Sequence, residues 1–172
     1  MIMKKNIFID LDGVLSNFEL GVTKLGFNLE KIMNSNDNKK KGFLWATIRK
    51  NPHFWGELEL LDDAFDLWNF FEHQSPFILT GIPATFGKED FEKVKAQKID
   101  WVKKHFSIPE ERIICCLTSK KPSYIEVNAH NILIDDTTKN ISNWVNSGGI
   151  GDRKSTRLNS SHSQQFRMPS SA

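Results

Sequence analysis

Short, almost wholly apolar runs alternate along this chain with longer stretches in which apolar residues recur every three or four positions. Asn6 to Asp10 is the first apolar run and ends at a turn marked by Gly13. Pro76 to Thr80, Arg112 to Leu117 and Asn131 to Asp135 repeat the pattern. Between them lie helical periodicities. Leu15 to Met33 carries Phe18, Val22, Leu25 and Leu29, while Lys88 to Phe106 carries Phe91, Val94, Ile99, Val102 and Phe106. Asp62 or Asp63 is placed to cap a helix running through Gln74, with Ala64, Leu67, Trp68 and Phe71 on one face. A last helix begins at Thr137 or Thr138, carries Ile141, Trp144 and Val145, and stops at Gly148-Gly149.

Apolar strands separated by helical crossovers predict an α/β fold with a doubly wound parallel sheet. About 44 residues, roughly 15–58, lie between the first and second strands, more than a simple crossover needs. They predict a small helical cap over the sheet edge. Within it, Asn34 to Gly42 reads as a polar loop, and Phe43 to Leu61 is rich in aromatics, with Pro52 limiting any helix.

Composition changes this picture mainly at the carboxyl end. Asp152 to Ala172 is serine-rich, lacks apolar periodicity and resembles a translated sequencing adapter, so it is set apart from the fold as a non-native or disordered tail. The remaining chain, 1–151, is then expected to stop short of a further strand. Arg153, Lys154, Arg157 and Arg167 against Asp152 give the tail +3, which turns the whole-chain +2 into −1 for the rest. The basic balance therefore gives no support for a nucleic-acid-binding surface. No apolar run approaches the about 20 residues that span a bilayer, and no secretory signal is visible, so a cytoplasmic protein is expected. Cys115 and Cys116 are adjacent in a strand, point to opposite faces and read as small buried apolar groups.

Candidate chemistry gathers at the strand ends. Asp10 and Asp12 follow the first strand, Thr80 and Gly81 the second, Lys120 and Lys121 the third, and Asp135 and Asp136 the fourth. Ligands of an open parallel sheet bind at the carboxyl ends of its strands. Carboxylates crowded there need a compensating cation. Oxygen ligands alone, with few protein groups, suit Mg²⁺ together with a substrate phosphate, so Asp10, Asp12, Asp135 and Asp136 are the candidate metal ligands.

In this order the four motifs resemble the haloacid dehalogenase-like hydrolase superfamily, over Asn6 to about Gly149. The resemblance implies that Asp10 is the nucleophile that forms an aspartyl-phosphate and that Asp12 is the general acid and base. It further implies that Thr80, Gly81 and a lysine bind the phosphate. Asp12 to Phe18, Phe54-Trp55, Asp100 to Phe106, Glu111 to Ile114 and Leu133 to Asp136 resemble the 5′(3′)-deoxyribonucleotidase group more narrowly. That likeness implies a nucleoside monophosphate substrate, a base enclosed by Phe18 and Trp55, and Lys121 as the phosphate-binding lysine. Gly81 departs from the subgroup, which usually has Ser, so one hydrogen bond to phosphate or the metal shell is expected to be lost. Other small phosphate esters, a polynucleotide 3′-phosphate, and an inactive binding module or fragment are the alternatives. Oligomeric state is left open, a homodimer included.

Overall fold

A computed structural model describes residues 3–154. Five strands form one parallel sheet: β1 (Asn6–Ile9), β2 (Phe77–Ile82), β3 (Ile113–Leu117), β4 (Asn131–Asp135) and β5 (Ile150–Arg153), in the spatial order β3-β2-β1-β4-β5. Seven helices accompany them: α1 (Phe18–Lys24), α2 (Leu29–Met33), α3 (Asn38–Lys50), α4 (Ala64–Phe71), α5 (Gly87–His105), α6 (Lys121–Ile125) and α7 (Thr138–Asn146).

Each face of the sheet buries alternate residues of the same strands, which is why the strands read as continuous apolar runs. Ile7, Ile9, Ile78 and Ile134 pack with Leu67, Trp68, Phe71, Trp101 and Phe106 on one face. Phe8, Leu79, Cys116 and Leu133 pack with Trp144 on the other. The Phe8 ring stacks on Phe77 at 5.1 Å and tilts against Trp144 at 5.4 Å. Cys115 and Cys116 fall in different clusters, as strand alternation requires, and both are free, buried thiols. Burial pushes the Cys115 thiol up to about 11 and raises Cys116 as well.

The long segment after β1 leaves and rejoins the core through paired stems. Asn17 N–H donates to the Glu59 carbonyl at 2.7 Å, and Leu61 N–H to the Leu15 carbonyl at 2.9 Å. Between the stems, Val22, Ile32, Leu44, Ile48, Phe54, Trp55 and Leu58 form a cluster that continues into the core through Ile82, Phe86, Val94 and Cys115. The single helix expected from Leu15 to Met33 is two helices, because Gly26 takes φ +88° and ends the first. The polar loop expected through Gly42 is helical from Asn38. Asp37 caps it by accepting from the N–H groups of Lys39 (2.9 Å) and Lys40 (3.3 Å), and its first turn is polar because it is exposed.

The expected boundary at Gly151 moves. β5 continues to Arg153, with Asp152 beside Ile134 and Arg153 beside Asp135. A ladder is built from backbone groups, so a strand at a sheet edge accepts polar side chains without loss of pairing. Lys154 follows: its N–H donates to the Asp135 carbonyl at 3.0 Å and its ammonium to the Val14 carbonyl and the Asp63 carboxylate, both at 2.7 Å. Asp63 does stand at the start of α4, but its carboxylate serves this lysine and caps no helix N–H. The rest of the adapter-like segment, 155–172, lies outside the described residues.

Candidate active site

β1 lies at the centre of the sheet, with β2 on one side and β4 on the other, so the chain reverses its direction of travel there. Such a reversal opens a crevice at the carboxyl edge. Register pairs Ile9 with Ile134, which makes the next residues, Asp10 and Asp135, neighbours across the β1–β4 ladder. After Asp10 the chain coils tightly on the Leu11 carbonyl, which accepts from the N–H groups of Val14, Leu15 and Ser16. Gly13 holds this coil at φ +81°, and a Cβ there would meet Asp136 Oδ2 at 2.2 Å. Glycine at 13 therefore serves both the turn and the close approach of a carboxylate.

One buried ammonium organises the carboxylates. Lys121 opens α6 and is 2% exposed; its Nζ lies 2.9 Å from Asp10 Oδ1 and 2.9 Å from Asp135 Oδ2. Asp135 is fixed further by Asn140 Nδ2 (3.0 Å) and the Thr137 N–H (2.9 Å). Of the two adjacent lysines, Lys121 is the buried one; Lys120 is exposed. Burial opposes the charge on Lys121, yet Asp10 and Asp135 outweigh it and hold its ammonium above the ordinary lysine range. Burial pushes Asp10 well above the carboxylate range, Asp135 adds to the shift and Lys121 partly offsets it. Burial and the Asp135 charge push Asp136 up to about 7.

Asp10, Asp135 and Asp136 each place a carboxylate oxygen within 4.8 Å of the others'. Three carboxyl groups, two of them paired with Lys121, crowd a crevice of hard oxygen donors, where burial and mutual repulsion make their charge costly without a further cation. That donor set fits Mg²⁺. The Asp12 carboxylate does not join the group. Its Oδ1 accepts from Ser16 Oγ at 2.9 Å and its Oδ2 from Lys98 Nζ at 2.5 Å. Lys98 also donates to Thr80 Oγ1 (2.9 Å) and to the Gly81 carbonyl (3.0 Å), and so links Asp12 to the end of β2.

Sequence reasoning overlooked Lys98. Its signal was present: Lys98 falls on the stripe of Val94, Trp101 and Val102, the buried face of α5, where a lysine is out of place unless paired. Thr118 was also overlooked. A Cβ on Gly81 would lie 2.4 Å from Thr118 Oγ1 and 2.8 Å from its Cα. The Thr118 hydroxyl thus stands where a side chain at 81 would be, which gives the glycine a steric reason.

The cap aromatics meet one another as much as open space. Phe18 stacks with Trp45 at 6.0 Å and with Trp55 at 5.6 Å. Phe18 is half-buried. Trp55 is 4% exposed, its ring covered by Phe18, Phe54, Phe86 and the Lys98 ammonium at 4.4 Å.

Comparison with solved structures places this architecture. A haloacid dehalogenase-like family hydrolase from Streptococcus pneumoniae superimposes with a TM-score of 0.53 at 14% identity, over 86% of this chain and 83% of that one. This is the haloacid dehalogenase-like hydrolase fold. A HAD family hydrolase from Deinococcus radiodurans R1, solved with bound phosphate and sodium, gives 0.51 at 9% identity over 86% and 79%. A HAD hydrolase of family IA, variant 3, from Entamoeba histolytica gives 0.50 at 15% identity over 91% and 86%. No protein-family model matches the chain, and no curated protein matches it in sequence. Among the described residues, no helix is long and apolar enough to cross a membrane.

Proposed function

We propose that this chain is a Mg²⁺-dependent phosphomonoester hydrolase that works through an aspartyl-phosphate on Asp10 and acts on (deoxy)nucleoside 5′- or 3′-monophosphates. The observation that carries the reading is the union, at one sheet edge, of Asp10, Asp135 and Asp136, the first two bonded to the buried ammonium of Lys121. Asp10, Asp135 and Asp136 would hold Mg²⁺, which when bound neutralises charge on the phosphate. In the first step an Asp10 carboxylate oxygen bonds to phosphorus, the ester P–O bond breaks, and the leaving oxygen takes a proton from Asp12. In the second, water attacks phosphorus, its proton passes to Asp12, and the bond to Asp10 breaks to release inorganic phosphate. Lys121 neutralises charge beside the reacting group. Thr80 Oγ1 accepts a hydrogen bond from Lys98, which leaves its own proton for a phosphoryl oxygen.

The nucleotide part rests on the motif resemblance and on the half-buried Phe18 ring, framed by Trp45 and Trp55, as a surface for a base. The buried Trp55 backs that surface.

Phosphate release from a panel of ribo- and deoxyribonucleoside monophosphates, sugar phosphates and a 3′-phosphorylated oligonucleotide, with and without Mg²⁺, tests the reading. Metal-dependent release that favours nucleotides is expected. Preference for a sugar phosphate would retain the chemistry and overturn the substrate, and no release from a folded protein would overturn both.

A further inference from the structure

Lys98 is among the largest fully buried side chains, at 1% exposure, and it is remote in sequence from every strand-end motif. An ammonium has three protons and no acceptor. Here the three have three acceptors: Asp12 Oδ2 at 2.5 Å, Thr80 Oγ1 at 2.9 Å and the Gly81 carbonyl at 3.0 Å. The Trp55 ring, contributed by the cap, lies 4.4 Å from the same nitrogen. A buried charge is tolerated only when it is paired and its hydrogen bonds are satisfied, and this one meets both conditions. The Asp12 side chain is 20% exposed, so it reaches the crevice while its inner oxygen is held.

We infer that Lys98 is a positioning residue for the acid–base step: it fixes the Asp12 carboxylate relative to Thr80 and the transferring phosphoryl group. Without it, Asp12 would keep only the Ser16 hydroxyl on its other oxygen and could rotate away from the leaving-group and water positions. A misplacement of about 1 Å of such a group is enough to lower a rate about 100-fold. Trp55 closes the remaining side of the ammonium, so the cap helps to hold the acid–base residue even though it supplies none of the reacting groups. This inference rests on the phosphatase reading above.

The test is a double-mutant cycle on p-nitrophenyl phosphate hydrolysis with Mg²⁺, using Lys98→Met, Asp12→Asn and the double variant, with circular dichroism and cooperative melting to verify folding. Lys98→Met should lower kcat by about 100-fold with KM changed less than about threefold, because the loss falls on the step and not on binding. In the Asp12→Asn background, removing Lys98 should cost less than about threefold more, since a residue acting through another has nothing left to position. A purely structural role would instead multiply the two losses. Lys98→Arg keeps the charge but cannot reproduce three separate directions from one nitrogen, and should lose about tenfold; it supplies the readout if the methionine variant fails to fold. Wild-type kcat in either folded variant, or multiplied losses in the cycle, would overturn the inference. A wild-type protein that releases no phosphate would overturn the phosphatase reading and this inference with it, whereas an active wild type with unaffected Lys98 variants would overturn this inference alone.

Discussion

Lys121 shows most clearly how much the site depends on single residues. Its ammonium is the only positive group bonded to Asp10 and Asp135 among the described contacts, and both of those carboxylates are buried. Lys121→Met should destabilise the protein by about 3–5 kcal/mol, because one partner of a buried ionic group is removed and the other is left uncompensated. Urea unfolding would measure this, and a loss below about 1 kcal/mol would show that the charges are solvated after all. The strand-end positions Asp10, Thr80, Asp135 and Asp136 were legible because each follows an apolar run, whereas that pattern leaves Lys120 and Lys121 open and only the motif resemblance favours Lys121. At Lys98 the stripe of α5 marks an inward-facing position but not its partners, which depend on the fold bringing Asp12 and Thr80 to that helix. Thr118 was not legible, since its meaning appears only where β2 and β3 come close enough to forbid a side chain at 81.

Among the elements, α5 ties the cap to the core through its buried face. Trp101 Nε1 donates to the Leu58 carbonyl at 2.7 Å, a buried bond between the long helix and the stem through which the cap returns. Trp101→Phe would leave that carbonyl without its partner and should cost about 1–3 kcal/mol in chemical denaturation. Hydrogen exchange should then quicken across the cap stem before it quickens in β1 or β4; uniform acceleration would contradict this tie. Strands β1 to β4 could be read because parallel strands covered on both faces are apolar throughout. β5 could not: Ile150-Gly151-Asp152-Arg153 has no apolar pattern, and its pairing uses only backbone. Five-residue α6 was hidden too, being too short for periodicity to mark. The start of α3 was hidden by its exposed, polar first turn, although Asp37 had supplied the capping signal.

For the whole molecule, the metal-free protein carries strain of an electrostatic kind. Asp136 has a folded pKa of about 7 against an ordinary 3.8. A carboxyl raised on folding contributes stability that is present below about pH 4 and lost as pH rises through about 7. Without metal, the melting temperature should therefore carry a component that falls between about pH 4 and pH 7 and shrinks in Asp136→Asn, where Asp10, raised in the same direction, still contributes. His105, which burial holds below its ordinary value, works in the opposite direction and is unaffected by that substitution. Mg²⁺ should raise the wild-type melting temperature more at pH 8 than at pH 5, because it replaces protons on the same oxygens. Equal stabilisation at both pH values would argue against a metal bound by these carboxylates. The doubly wound architecture itself was readable from the alternation of runs along the chain, whereas the substrate was not, because the cap aromatics pack largely on one another.

Everything proposed for the site turns on covalent chemistry at Asp10. The most direct measurement is to react the Mg²⁺-loaded protein with a nucleoside monophosphate, quench it rapidly in acid, reduce the acyl phosphate with borohydride and locate the product by peptide mass spectrometry. Homoserine is expected at position 10, formed only with Mg²⁺ and substrate and enriched in Asp12→Asn, where water attack on the phosphoenzyme is slowed. Phosphate release with position 10 unmodified, or with the label on another residue, would contradict it.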